Sequence, residues 1–259
     1  MIQDFYQQYS RYYDVIANDR DFSAQTRLIR NRLNTNEGQK KVLELFAGPA
    51  YHGIEFQSGH NDYVAAIESS PHMKHLAEDK GFGSPGEYYI GSIPTDLKQF
   101  SENTFDCILG LRYSIGYLSR ENLYEMLRQC KRLIKASGKV FLEVHDISAI
   151  TGNLTNDSIR DRKKTTDSDE EINCIWPDGA IQWDNLDYKA SMNVSLTIER
   201  EQEKVEKSFV SIENIYCAKE VIFLANLIGF SSALPQFEGN DKQVWFNEFK
   251  SSIIIELFL

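Results

Sequence analysis

The sequence predicts an α/β fold: a doubly wound, mostly parallel sheet, preceded by helices and interrupted by a small antiparallel insertion. Three observations predict it. Five short apolar runs alternate with helical patterns between residues 41 and 144, as parallel strands joined by crossover helices do. The runs are largely apolar, as suits strands buried on both faces of a sheet. The 259 residues are 42% hydrophobic and 25% charged, enough for the core of one large or two small domains and unlike disordered, collagenous or disulfide-stapled chains.

The elements follow in order. Phe5, Tyr9, Tyr12 and Ile16 recur at helical spacing, with Tyr6 and Tyr13 beside them, and predict an aromatic-rich first helix. A second covers Ser23–Leu33, and residues 34–38 form a linker. The first strand is Lys41–Phe46, closed by Ala47-Gly48-Pro49. The second is Tyr63–Ile67, closed by Glu68 and followed by a helix near Pro71–Glu78. Tyr88–Ile90 and Phe105–Leu111 are the third and fourth. The amphipathic helix Arg120–Ala136 comes next, and Gly138 then turns the chain into a fifth strand, Lys139–Val144.

Composition shifts after Asp146. Residues 147–171 are polar and expected to be mobile. Ile172–Trp176 and Ala180–Trp183 flank a Pro177-Asp178-Gly179 turn, and Met192, Val194, Leu196 and Ile198 alternate strictly. A strand near Val205–Tyr216 completes an antiparallel unit. A helix over Cys217–Ile228, stopped by Gly229, and two strands, Gln243–Phe249 and Ser252–Leu259, close the chain. The expected divisions are 1–36, 37–150, 151–214 and 215–259.

Charge and cysteines narrow the function classes. Twenty-eight basic against 38 acidic residues give a net −10, which disfavours nucleic acid and anionic lipid. The run Arg160–Lys164 is followed by Asp167, Asp169, Glu170 and Glu171, and such a mixed run is a solvated loop rather than a phosphate-binding stripe. Cys107, Cys130, Cys174 and Cys217 are scattered and read as reduced thiols, with no metal site expected. No window reaches the ~20 apolar residues of a membrane span, and Met1–Tyr6 lacks a secretion signal. A cytoplasmic protein with no membrane partner is expected, which makes the glycosylation-type triplets at Asn153, Asn156 and Asn193 accidental.

In an open parallel sheet, ligands bind beyond the carboxyl ends of the strands, where strand order reverses. After the first strand stand Phe46, Ala47, Gly48, Pro49 and Ala50, a small-residue turn that admits a ligand to the backbone. Glu68 ends the second strand 24 residues after Glu44, the offset of an acid that accepts bonds from a ribose diol.

These segments together resemble the class I S-adenosylmethionine-dependent methyltransferases. Val42–Ala50 is similar to the first family motif, and Glu68-Ser69-Ser70-Pro71-His72-Met73 to the acid and helix start that follow the second strand. Ile90-Gly91-Ser92 stands where the family has Gly-Asp beside the adenine. Arg112–Leu118 resembles the small-molecule branch, notably the amino-sugar N-methyltransferases, as does the opening Tyr12-Tyr13-Asp14 with Asp19–Phe22 after it. Three positions depart from the pattern: Phe46 and Ala50 replace glycines, and Ser92 replaces the aspartate. The full Gly-x-Gly-x-x-Gly of nicotinamide enzymes is missing too, which weakens a dehydrogenase reading.

The resemblance implies a Rossmann-like, seven-stranded sheet with residues 1–36 as a helical lid and 151–214 as an acceptor-site insertion. It implies S-adenosyl-L-methionine as cofactor, a small organic acceptor methylated at N or O, and no nucleic acid; a homodimer is an allowed assembly. Glu68 would hold the ribose; Ala47, Gly48 and the neighbouring backbone, with Phe46 and Pro49, the methionine portion; Met73, Gly91, Ser92, Ile93 and Leu111 the adenosine; Glu44 and Ser69 are also expected among the cofactor-binding residues. Tyr13 and Arg20 would close from the lid. Tyr13 and His145 are the candidate catalytic residues, His145 as a base for a hydroxyl acceptor or as a hydrogen-bonded structural histidine. A macromolecular acceptor and a non-catalytic partner subunit are the competing readings.

Overall fold

Seven strands form one sheet in the order β3-β2-β1-β4-β5-β12-β11. The strands are β1 (Lys41–Leu45), β2 (Tyr63–Glu68), β3 (Gly86–Ile90), β4 (Phe105–Gly110), β5 (Ile134–His145), β11 (Ser231–Ala233) and β12 (Ser252–Phe258). β1 to β5 run parallel; β12 is antiparallel to both β5 and β11. Strand order reverses between β1 and β4, so the crevice that such a reversal opens lies beyond Leu45 and Gly110. The computed structural model describes residues 1–33, 38–147, 161–167, 169–201, 203–235, 244–245 and 252–259.

Alternation along the strands divides the core between two helical layers. Leu43, Leu45, Val140, Leu142 and Val144 pack against α6 (Arg120–Leu133) and α7 (Ala218–Ile228). Val42, Phe141 and Ile254 turn the other way, toward α3 (Phe22–Asn31), α4 (Tyr51–His60) and α5 (Pro71–Asp79). α6 shows why these segments are helical. Ser119 caps its start by accepting from the Asn122 amide at 3.2 Å, Lys131 and Arg132 occupy its last turn, and Leu123, Met126, Leu127, Cys130 and Leu133 form the buried stripe. Each such side chain contributes about 1.5–3 kcal/mol when fully buried.

The chain divides into two compact units, Met1–Arg20 with Ile147–Ile215 and Asp21–Asp146 with Tyr216–Leu259. The second contains the seven-stranded sheet. In the first, β6 (Asp161–Asp167), β7 (Glu170–Trp176), β9 (Lys189–Arg200) and β10 (Glu203–Asn214) form an antiparallel sheet, with β8 (Gln182–Asp184) paired to β9. Its core takes Ile172, Val194, Leu196 and Ile198 from the strands, and Ile2, Phe5 and Ile16 from α1 (Ile2–Gln7) and α2 (Ser10–Ala17). Phe5 stacks on Phe209 with centroids 4.9 Å apart.

Four expectations need correction. The single N-terminal helix is two, broken at Gln8 and Tyr9, and both pieces reach the same cluster through Phe5 and Ile16. Part of the supposed loop, Asp161–Asp167, is the strand β6: its pairing with β7 makes it one, at a sheet edge where charge is tolerated. β5 starts at Ile134 rather than after Gly138, because the ladder with β4 shifts register between Phe105 and Cys107 and absorbs the extra residues. The closing pair is β11 with β12; within Gln243–Phe249, Val244 and Trp245 are helical and the other five residues lie outside those described. Asn34–Glu37, Asn153 and Asn156 lie outside them as well.

Gly138 tests the bulge. A Cβ there would stand 2.9 Å from the Phe105 carbonyl oxygen and 2.8 Å from the Ile134 side chain. Gly138→Ala is expected to destabilise by about 1–3 kcal/mol, the usual range for overpacking, read as a lower urea midpoint. An unchanged midpoint would mean that β5 does not bulge here.

Candidate functional site

The corner after β1 has a regular backbone pattern. Phe46, Gly48 and Ala50 all have positive φ, +53°, +52° and +54°. This left-handed region is open to glycine and disfavoured for other residues by roughly 1–2 kcal/mol. The three positions are those where the resembled motif carries glycine, so this chain keeps the turn and lacks two of the glycines. The Phe46 ring packs on the α6-side cluster with Leu43 and Leu45, while Ala47 and Ala50 are buried on the other face.

Gly48 is held through both of its backbone polar groups. Its amide donates to Glu68 Oε2 at 3.3 Å, and its carbonyl accepts from the Tyr88 hydroxyl. Burial, with a smaller push from the Glu68 charge, drives the Tyr88 phenol well above its ordinary pKa, which keeps it a donor. Glu68 Oε1 accepts from the amides of Ser69 and Ser70, at 2.8 and 3.0 Å, and from the Ser69 hydroxyl at 3.0 Å. The acid at the tip of β2 and the corner after β1 therefore meet. A Cβ built on Gly48 would find nothing within 4 Å, so the corner is open on that side.

Glu44 is tied to the start of α4. It is buried on β1, and its Oε2 accepts from the amide of Gly53, the third residue of α4, at 2.9 Å. His52 lies between it, at 3.4 Å, and Gln25, at 2.8 Å. The α4 N-terminus is thus occupied by a carboxylate from its own unit, and Gly53 is glycine because a Cβ would stand 2.7 Å from Glu44 Oε2. Sequence reasoning passed over Gly53, although a glycine in the first turn of a helix was the signal.

At the adenine end of the resembled site, the Gly91 amide continues the ladder to the Glu68 carbonyl at 2.9 Å. The Ser92 amide donates to Asp96 Oδ2 at 2.7 Å, an acid the sequence reading missed. Ile93 packs on the α6-side cluster; Leu111 is buried on the opposite face, and Met73 is buried in α5, where its amide is capped by Ser70 at 3.4 Å. Pro49 lies in the same β1–α4 corner.

Beyond β4, Arg112 and Tyr113 carry consecutive left-handed φ values of +58° and +60°. The Arg112 amide donates to Glu143 Oε2 at 2.7 Å, and its guanidinium lies 5.8 Å from the Phe22 ring. His145 ends β5 and stacks on the Tyr113 ring. Tyr13 and Arg20 belong to the other unit, where the Tyr13 ring packs edge-on against Phe5 and Tyr6, with centroids 5.8 and 4.9 Å away. Among the described residues no group of three or more His, Cys, Asp or Glu side chains is placed to hold a metal ion, and no helix is long and apolar enough to cross a membrane. Burial pushes the Cys130 thiol up to about 12, and Cys217 caps α7 by accepting from the Glu220 amide at 3.3 Å.

A seven-stranded sheet of this order, with one antiparallel strand beside β5, is the fold of S-adenosylmethionine-dependent methyltransferases, and the chain has it. DesVI of Streptomyces venezuelae superposes with a TM-score of 0.72 at 15% identity, over 96% of this chain and 98% of that one. A methyltransferase of this class from Clostridium acetobutylicum gives 0.71 at 15% identity, over 97% and 98%. CalS10, an amino pentose methyltransferase from Micromonospora echinaspora whose structure contains bound cofactor, gives 0.64 at 14% identity, over 95% and 91%. No family model matches the sequence, and no curated protein does.

The corner's strain sets a stability test. Ala50→Val puts a β-branched residue at a buried left-handed position and is expected to destabilise by about 2–4 kcal/mol. Gly48→Ala meets no neighbour and should lose only about 1–2 kcal/mol. Equal losses in urea denaturation would contradict the left-handed geometry at Ala50.

Proposed function

We propose that the protein is an S-adenosylmethionine-dependent methyltransferase that acts in the cytoplasm on the N or O of a small organic metabolite. The observation that carries this reading is the meeting of Glu68 with Gly48, beside a corner left open where a side chain would otherwise stand. The cofactor, when bound, supplies an electrophilic methyl group on a sulfonium; the chain has to bind it and aim the acceptor. Glu68 is the acid for the ribose hydroxyls. The backbone of Ala47, Gly48 and Pro49 borders the methionine portion. Gly91, Ser92, Ile93 and Leu111 border the adenosine.

Electrostatics favour a cationic ligand over a phosphorylated one. A nucleotide phosphate seeks free amides at a helix N-terminus, whereas here the Gly53 amide of α4 already bonds Glu44. Glu44, Glu68, Asp96 and Glu143 place four carboxylates along the carboxyl ends of the strands, a surrounding that suits a sulfonium and repels a pyrophosphate. The similarity to CalS10, an amino pentose methyltransferase, supports a small acceptor bearing an amine. The four scattered cysteines, none of them in a disulfide, suit a reducing compartment.

A thermal-shift panel of S-adenosylhomocysteine, NAD and ATP tests the reading, with stabilisation expected from the first alone. In calorimetry, Glu68→Ala should weaken S-adenosylhomocysteine at least tenfold, roughly 1.4 kcal/mol. Wild-type protein that binds none of it would leave a scaffold rather than an enzyme. Tritiated cofactor offered with small amines, hydroxy acids, protein and RNA then identifies the acceptor, and label confined to the macromolecules would overturn the small-molecule assignment.

A further inference from the structure

The β5–β12 register places Ser252 directly opposite His145 and Ile254 opposite Glu143. Residues two apart on a strand share a face, so Glu143, His145 and Ser252 all point to the α3–α4 side of the sheet. Glu143 and Ser252 are 0% and 1% exposed. The Ser252 hydroxyl donates to Glu143 Oε1 at 2.6 Å, and Ser252 Oγ lies 2.5 Å from the Tyr113 hydroxyl. With the serine proton directed to the carboxylate, the phenol is the donor to Ser252. Its ring lies on the imidazole of His145 with centroids 3.8 Å apart and planes 8° from parallel.

We propose that Tyr113 is a positioning residue for His145, and that the closing strand enters the acceptor side of the site through Ser252. Glu143 organises both ends of the assembly. One oxygen fixes the Arg112 amide and so the left-handed turn that delivers Tyr113. The other fixes Ser252, which anchors the phenol. The anchored ring sets the plane of the imidazole. Because the ring nitrogens lie in that plane, it also sets the directions in which His145 exchanges hydrogen bonds or a proton with an acceptor. The acceptor-side role rests on the methyltransferase reading; the positioning of His145 does not.

Proton–carbon NMR of the imidazole, assigned by His145→Gln, tests the arrangement directly. In the wild type the His145 Cε1 proton is expected upfield, from the ring current of Tyr113. Tyr113→Leu should abolish that displacement, and Tyr113→Phe and Ser252→Ala, which remove one hydroxyl each, should reduce it. All three variants should bind S-adenosylhomocysteine within threefold of the wild type. An unchanged signal in Tyr113→Leu overturns the stack, and unchanged signals in both other variants overturn the anchor. Should the leucine variant not fold, those two decide. Failure of the wild type to bind S-adenosylhomocysteine would overturn the enzymatic reading while leaving the NMR result standing.

Discussion

The carboxyl edge of the sheet depends on one kind of interaction, a carboxylate accepting from a backbone amide that the turn leaves without a partner. Glu44 accepts from Gly53, Glu68 from Gly48, Ser69 and Ser70, Asp96 from Ser92, and Glu143 from Arg112. Strands that end in tight turns and helix starts expose such donors, and a buried one left unsatisfied costs about 1–3 kcal/mol. A buried carboxylate is tolerable only when its own oxygens are bonded. Here each requirement meets the other: Glu68 spreads its charge over three amides, Glu44, Asp96 and Glu143 each take one, and the turns at Phe46–Ala50 and Arg112–Tyr113 are held in left-handed conformations.

This arrangement gives the edge a sign. Nucleotide folds of similar topology meet phosphate with free amides and glycine. In this chain the corresponding donors face carboxylates of its own, so a pyrophosphate entering the corner would find those amides already bonded and would meet negative charge. A sulfonium or an ammonium meets neither obstacle. On the proposed reading, residues at the strands' ends fit the same topology to a different ligand class without a change in the strands.

The parallel core was legible because its signals are local. Buried parallel strands are short apolar runs, helices carry caps and stripes, and Glu68 stands at a fixed interval from Glu44. What escaped was non-local. Nothing near Ser252 announces that it will lie opposite His145, because 109 residues separate it from Glu143 and only the β5–β12 register joins them. Asp96 escaped because it does not occupy the motif position; it reaches Ser92 by a turn of the chain. Asp161–Asp167 reads as a charged loop, and the alternation that makes it a strand belongs to its partner β7, whose burial switches residue by residue.

The glycine-poor corner shows why residue identity alone underrates this chain's likeness to its structural neighbours. Glycine is one way to populate left-handed backbone; over-determination by surrounding bonds is another. Gly48 is gripped at its amide by Glu68 and at its carbonyl by Tyr88, and the Ala50 amide closes the turn on the Ala47 carbonyl at 2.8 Å. Those bonds hold the turn in which Phe46 and Ala50 are left-handed, and they offset the strain at the two residues. Conformation is kept while sequence drifts, which is how a fold can be shared over nearly the whole chain at 15% identity.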